Sequence, residues 1–373
     1  MRRLPLLAAA VALTAAIPAQ AHAATHGDLL SVKPLKAKGA VLKGAAKNLL
    51  VTYKTKGIDG SLVTVSGTVV YPKGKAPKGG WPVFTWAHGS TGIADICAPS
   101  VATGSGAVSA YSSYANPLLE RVLKAGFVVV RTDYEGLGTP GVHPYINGVS
   151  EGRSVLDIVR AARKIDGKVG STYFIGGHSQ GGQAALFAAS LAGSWIPELK
   201  LRGTVALAPA SHLGEQSTIL RNLDATSFSP IVSIILRGAE VSDPSLNVES
   251  LLSDQSKALW PQTLTNCLPD LGQPTSFGGL TAKQLLLPDA DITALTAYLS
   301  RQDPETLTIK SRLLIEQGTA DGTALPVFTD QLVKDLQGRG KQVTYKTYEG
   351  VDHSGVAKDA KSTKDMLTFL GGR

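Results

Sequence analysis

Ser179, Asp321 and His353 are the residues whose types could together carry nucleophilic acyl chemistry: a hydroxyl to attack, an imidazole to move its proton, and a carboxylate to hold the imidazole. Ser179 stands in Gly177-His178-Ser179-Gln180-Gly181, between the apolar, β-prone run Tyr173-Phe174-Ile175 and the helix-forming run Ala184-Ala185-Leu186-Phe187. Strand, sharp turn and helix in that order make a G-x-S-x-G elbow, which holds the serine in a strained backbone conformation with its Oγ exposed. The N–H groups and positive dipole end of the helix favour the negative charge that develops as the hydroxyl attacks an acyl carbon. A bare pentapeptide of this kind also fits a plain glycine-rich loop, so the elements around it decide the reading.

The other two residues follow strands. Leu313 to Gln317 reads as a strand with Gly318-Thr319-Ala320-Asp321 as the loop after it, and Val343 to Tyr348 as a strand with Glu349 to Gly355 after it. In a parallel sheet the strand ends share one edge, so three residues distant in sequence can meet there. His353 would take the proton from Ser179 and return it to the leaving alcohol, while Asp321 would fix the imidazole tautomer. Asp352 competes for the acid role but is adjacent to the histidine and badly placed to orient it; Glu316 competes but lies within its strand. Among the histidines, His26 lies in the N-terminal arm, His88 and His178 read as packed or orienting residues, and His143 and His212 lie in loops of a substrate cleft.

A second donor for the oxyanion is expected after another central strand. Pro82 to His88 is a compact apolar run that ends in His88-Gly89-Ser90-Thr91-Gly92. The N–H groups of Ser90 and Gln180 are assigned to the oxyanion hole, with the inward-pointing N–H of the His88 to Thr91 loop left open by the sequence.

The elements that must position these residues alternate. Leu49 to Thr55 and Leu62 to Tyr71 suggest an antiparallel hairpin; Asn116 to Ala125 is a helix stopped by Gly126, Phe127 to Asp133 a buried strand, Val155 to Ile165 an amphipathic helix, and Gly203 to Pro209 another strand. This is the pattern of an α/β fold with a mostly parallel sheet. From 211 to 309 the alternation stops, leaving helical fragments broken by Pro, Gly and Ser, which reads as a helical cap inserted above the strand ends. The expected organisation is a segment 1–23 that is removed, an arm over 24–48, the first part of the core over 49–210, the cap, and the second part of the core over 310–373.

Met1-Arg2-Arg3, the uncharged run Leu4 to Ile17 and Ala21-His22-Ala23 form a secretory signal peptide, cleaved after Ala23 or, alternatively, after Ala21. The product is expected to be soluble and exported, to the extracellular space or a periplasm. Loss of Arg2 and Arg3 lowers the formal charge from +8 to +6. Lys and Arg are scattered without interleaved aromatics, which argues against nucleic-acid binding. Two cysteines, Cys97 and Cys267, make an even count in an exported chain, so a disulfide tying the oxyanion-strand loop to the cap is the default. No glycine cluster after a strand has the phosphate-cradling spacing, and no cofactor is expected.

The chain resembles the secretory lipases of the α/β-hydrolase superfamily, similar to the lipase A group of yeasts and its bacterial relatives. The residues that carry the resemblance are Trp86 to Gly92 followed by Cys97-Ala98-Pro99-Ser100, Asp133 to Gly138, His143-Pro144-Tyr145, Val155-Leu156-Asp157 with Arg160 to Arg163, Gly177 to Gly182 and Gly318 to Asp321, and they span roughly Leu49 to the C-terminus. The resemblance implies an eight-stranded α/β-hydrolase sheet, hydrolysis of acylglycerols or simpler esters, no metal requirement, and the Cys97–Cys267 bond. Its partners would be ester substrates and transient contact with a lipid interface, in a protein favoured to be monomeric. The alternative is an esterase for short or aromatic acyl groups or polyesters, and, in another class, a non-catalytic hydrolase fold used for binding. The chain departs from the yeast enzymes after His353, where 20 residues leave room for a closing helix and not for a C-terminal flap.

Overall fold

The computed structural model describes residues 24–371, so the expected signal peptide lies outside the described residues. Nine strands form one sheet in the order β1-β2-β3-β5-β4-β6-β7-β8-β9. They are β1 (Leu29–Pro34), β2 (Lys47–Lys56), β3 (Leu62–Tyr71), β4 (Trp81–Ala87), β5 (Val128–Thr132), β6 (Val169–His178), β7 (Lys200–Leu207), β8 (Leu313–Gly318) and β9 (Val343–Tyr348). The first three pair antiparallel and β4 to β9 run parallel to one another, with β3 meeting β5 antiparallel. The strand absent from the sequence reading is β1, placed there in the arm. Its Leu30 and Val32 are partly exposed and lysines surround it, because an edge strand covers one neighbour and faces water with the rest.

Helices α1 (Gly106–Ser112), α2 (Asn116–Lys124), α3 (Gly148–Arg163) and α4 (Gln180–Trp195) belong to the first half of the chain. Strand alternation sends side chains to both faces of the sheet: Val128 and Val130 join the apolar cluster under α3 and α4, and Val129 joins the cluster under α2. Both faces are therefore covered, which explains why β5 is buried throughout. α3 begins seven residues before the expected Val155, because Asn147 caps it by accepting from the Ser150 N–H at 3.1 Å. The glycines in its first turns, poor helix formers in isolation, let it pack onto α4. A Cβ at Gly152 would lie 2.9 Å from the Ala188 nitrogen.

Between β7 and β8 the chain forms α5 (Leu213–Leu220), α6 (Ser229–Ser242), α7 (Val248–Leu251), α8 (Asp254–Leu259), α9 (Leu268–Leu271) and α10 (Thr293–Ser300). This segment has an apolar cluster of its own, built on Ile234, Trp260, Phe277, Leu295 and Leu299 and reaching Tyr145 and Ile146 of the core. The chain then completes the sheet with α11 (Pro326–Gly338) and α12 (Ala360–Phe369), the latter closing the α2 face through Met366.

Candidate active site

Ser179 occupies the turn between β6 and α4 at φ 59°, ψ −121°, a strained conformation for a residue with a side chain. Its backbone is fixed from both sides: the N–H donates to the Leu207 carbonyl at 2.9 Å and the carbonyl accepts from Gly182 at 2.8 Å. The flanking glycines are required by contact. A Cβ at Gly177 would fall 1.9 Å from the Gly181 carbonyl oxygen, and one at Gly181 would fall 2.0 Å from that of Ala87. The sequence places Ser179 here because nothing larger than hydrogen at its flanking positions lets the turn close.

Asp321 and His353 meet after β8 and β9. Asp321 Oδ2 accepts from His353 Nδ1 at 2.7 Å and from Gln317 Nε2 at 3.1 Å, while Oδ1 accepts from the Thr323 and Ala324 N–H groups at 2.8 and 2.9 Å. Four donors hold this buried carboxylate in one orientation, and the tautomer that donates to it from Nδ1 turns Nε2 of His353 away from the carboxylate as an acceptor. The rival acids lie elsewhere. Asp352 bonds the Gly355 N–H at 2.6 Å in its own turn. Glu316 accepts from Ser362 at 2.6 Å and is pushed up to about 8 by burial.

Ser179, His353, Ser90 and Gln180 line one cavity of about 340 Å³ between the sheet edge and the helical segment. Most of its remaining wall is aliphatic, including Leu213, Ile231, Ile235, Leu286 and Leu295. Gln180 is the first residue of α4, so its N–H has no acceptor within the helix and is free for an anion. Ser90 Oγ and the Tyr145 hydroxyl are 2.5 Å apart at the rim.

Behind Gln180 is a buried polar group that sequence reasoning did not assemble. The Gln180 side chain donates to Glu151 Oε1 at 2.8 Å and to His143 Nε2 at 2.9 Å; Glu151 Oε1 also accepts from Ile146 N–H, and His143 Nδ1 donates to the Glu135 carbonyl. Burial drives both ionisable groups to neutrality, lowering His143 to about 3 and raising Glu151 to about 8. Glu151 looks like an ordinary helical surface residue; the signal was its spacing to Val155, Ile158 and Ala162, one stripe of α3. The His88 ring lies 4.3 Å from that of Tyr134, whose hydroxyl donates to the His88 carbonyl at 2.9 Å, so it supports the loop after β4. His26 bonds buried Asp157 at 2.9 Å and pins the N-terminal segment to α3. His212, at the start of the helical segment, faces Glu215, Glu305 and Asp335 at 3.6 to 3.9 Å. Cys97 and Cys267 are joined in a disulfide.

Over most of its length the chain is similar to known lipases. A secreted triacylglycerol lipase of Malassezia globosa is 24% identical over 339 residues, covering 86% of this chain and 69% of that protein. A probable inactive lipase of Mycobacterium tuberculosis is 25% identical over 218 residues, 56% of this chain and 47% of the relative. The crystal structure of Candida antarctica lipase A superposes with a TM-score of 0.75 at 20% identity, covering 94% of this chain and 83% of that one. Residues 104–277, which run from the segment before α1 into the helical insertion, match the secretory lipase family model, and over nearly the whole chain the fold is that of Candida antarctica lipase A.

Proposed function

We propose that the protein is an exported carboxylester hydrolase that cleaves esters of apolar acids, acylglycerols among them, through an acyl-enzyme on Ser179. The observation that carries this reading is the opening of the strained Ser179 turn into the same aliphatic cavity as the His353 ring, which Asp321 holds by its far nitrogen. Ser179 Oγ attacks the acyl carbon as His353 Nε2 takes its proton. The carbonyl oxygen becomes an oxyanion facing the N–H groups of Gln180 and Ser90. His353 then returns the proton to the alcohol, which leaves, and water repeats the cycle to free the acid. In this reading the segment 211–309 is the lid that supplies the acyl wall.

The test is a series of p-nitrophenyl esters from acetate to palmitate, assayed with purified mature protein and with Ser179→Ala. Turnover that rises with acyl length and disappears in the variant is expected. Turnover confined to acetate and butyrate would replace the lipase reading with a short-chain esterase. Equal rates in both proteins would end the reading of Ser179 as the nucleophile.

A further inference from the structure

We propose that His178 is the positioning residue for the base, holding His353 in register from the nucleophile side through a Tyr114–His178–His353 hydrogen-bond chain that passes through the buried His178 ring. The inference rests on the reading of Ser179, Asp321 and His353 as the catalytic set. His178 fills the variable place of the elbow pentapeptide, a position that the acyl chemistry itself leaves free. Its side chain is buried and bonded at both nitrogens: Nε2 is 2.8 Å from the backbone carbonyl of His353, and Nδ1 is 2.5 Å from the Tyr114 hydroxyl.

A carbonyl oxygen only accepts, so Nε2 must carry the proton. Nδ1 then holds the lone pair and Tyr114 must donate to it. The two bonds run in one direction and polarise each other. Burial, together with the His353 ring 4.5 Å away, keeps the His178 imidazole neutral by lowering its pKa well below the usual value. A charged His178 would also oppose the imidazolium that forms on His353 during attack.

The loop after β9 needs such a hold. Asp321 fixes the His353 ring at Nδ1, but a ring held at one atom still moves with its backbone. The loop is anchored on either side of His353, by Ala320 N–H to the Val351 carbonyl at 3.0 Å and by Val356 N–H to that of Asp352 at 3.2 Å. The bond from His178 acts on the histidine itself. Tyr114 extends the chain to the oxyanion loop, because a Cβ at Gly89 would lie 3.0 Å from its hydroxyl and 3.3 Å from His178 Nδ1. One hydrogen-bonded pair thus touches the nucleophile turn, the base loop and the oxyanion loop.

The experiment compares His178→Leu, His178→Gln and Tyr114→Phe with the wild type and with Ser179→Ala, on a p-nitrophenyl ester that the wild type turns over. His178→Leu is expected to lower kcat by about tenfold to a hundredfold, the cost of a small misplacement of a catalytic group, with little change in KM. The Gln side chain can still donate to the His353 carbonyl, so His178→Gln is expected to recover most of that loss, and Tyr114→Phe to fall between. The low-field proton of the His353–Asp321 hydrogen bond, read by NMR, should broaden or shift in His178→Leu and return in His178→Gln. A folded His178→Leu with wild-type kcat overturns the proposal, and so does a His178→Gln variant as slow as His178→Leu, which would mean that ring shape alone matters. Should His178→Leu fail to fold, His178→Gln and Tyr114→Phe decide, since wild-type kcat in Tyr114→Phe with an unaltered low-field proton also overturns it. Activity surviving in Ser179→Ala would instead remove the catalytic reading on which the inference stands.

Discussion

Glu151 bears on the chemistry without touching the cavity. Its Oε1 accepts from Gln180, the residue whose N–H is proposed to face the oxyanion, and its Oε2 is buried without a hydrogen-bond partner. A protonated carboxyl has an O–H to place and no charge to solvate; an ionised one in the same place would be a buried anion beside a developing anion. Burial favours the neutral form up to about pH 8. As the pH rises through that value Glu151 ionises, Gln180 is pulled toward it, and the oxyanion is opposed. The expected result is a fall in kcat/KM above about pH 8. Glu151→Gln, which keeps the acceptor but cannot ionise, should hold activity into more alkaline solution. An identical alkaline limb in both proteins would assign that limb to another group.

At the scale of elements, the parts proposed to do chemistry were legible because each is forced by a local constraint. The elbow glycines are required by contacts under 2.1 Å, and the apolar run of β6 leads straight into the turn at Ser179. Asp321 and His353 were readable as residues just past strand ends. What escaped was set by partners distant in sequence. β1 exists because β2 offers an edge, and the glycine-bearing first turns of α3 hold because α4 accepts their glycines. Neither shows in local periodicity. The strain is concentrated where the strands end: Tyr134 after β5, Ser179 after β6, and Ala208 and His212 after β7 all have positive φ.

The link between the oxyanion loop and the helical segment has two layers. Cys97 and Cys267 are bonded across 170 residues, and beside them Leu268 N–H donates to the Thr91 carbonyl at 2.9 Å. Closing so long a loop in the unfolded chain stabilises by at most about 5 kcal/mol. The double variant Cys97→Ser/Cys267→Ser should therefore melt roughly 5 °C lower by calorimetry. The backbone link remains, so its kcat at 25 °C should stay close to that of the wild type. A collapse of kcat without loss of fold would show that the disulfide itself sets the oxyanion loop.

For the whole molecule, buried ionisable groups set a stability curve whose sign can be worked out. Burial raises Glu151 and Glu316 to about 8, Glu305 to about 7 and Asp303 to about 6. Each binds its proton more tightly when folded, so its contribution is complete below the unfolded carboxyl pKa and is lost as pH rises through the folded value. His88, His143 and His178 run the other way: burial lowers them, so the unfolded chain takes up protons that the folded one refuses, and stability falls as pH drops below about 6.5. Between roughly pH 4.5 and 6.5 four carboxyls and three histidines nearly cancel; above that the histidine contribution is constant and Glu151, Glu316 and Glu305 alone set the slope. The melting temperature should accordingly be highest near about pH 5, fall shallowly to about pH 6.5 and more steeply above it, and decline again on the acid side. Calorimetry across pH 4 to 9 reads this directly, and Glu151→Gln with Glu316→Gln should flatten the alkaline descent while leaving the acid descent in place. A melting temperature that climbs from pH 6.5 to 8.5 would mean that these carboxyls are already ionised in the folded protein, and with them the neutral Glu151 behind Gln180 would have to be given up.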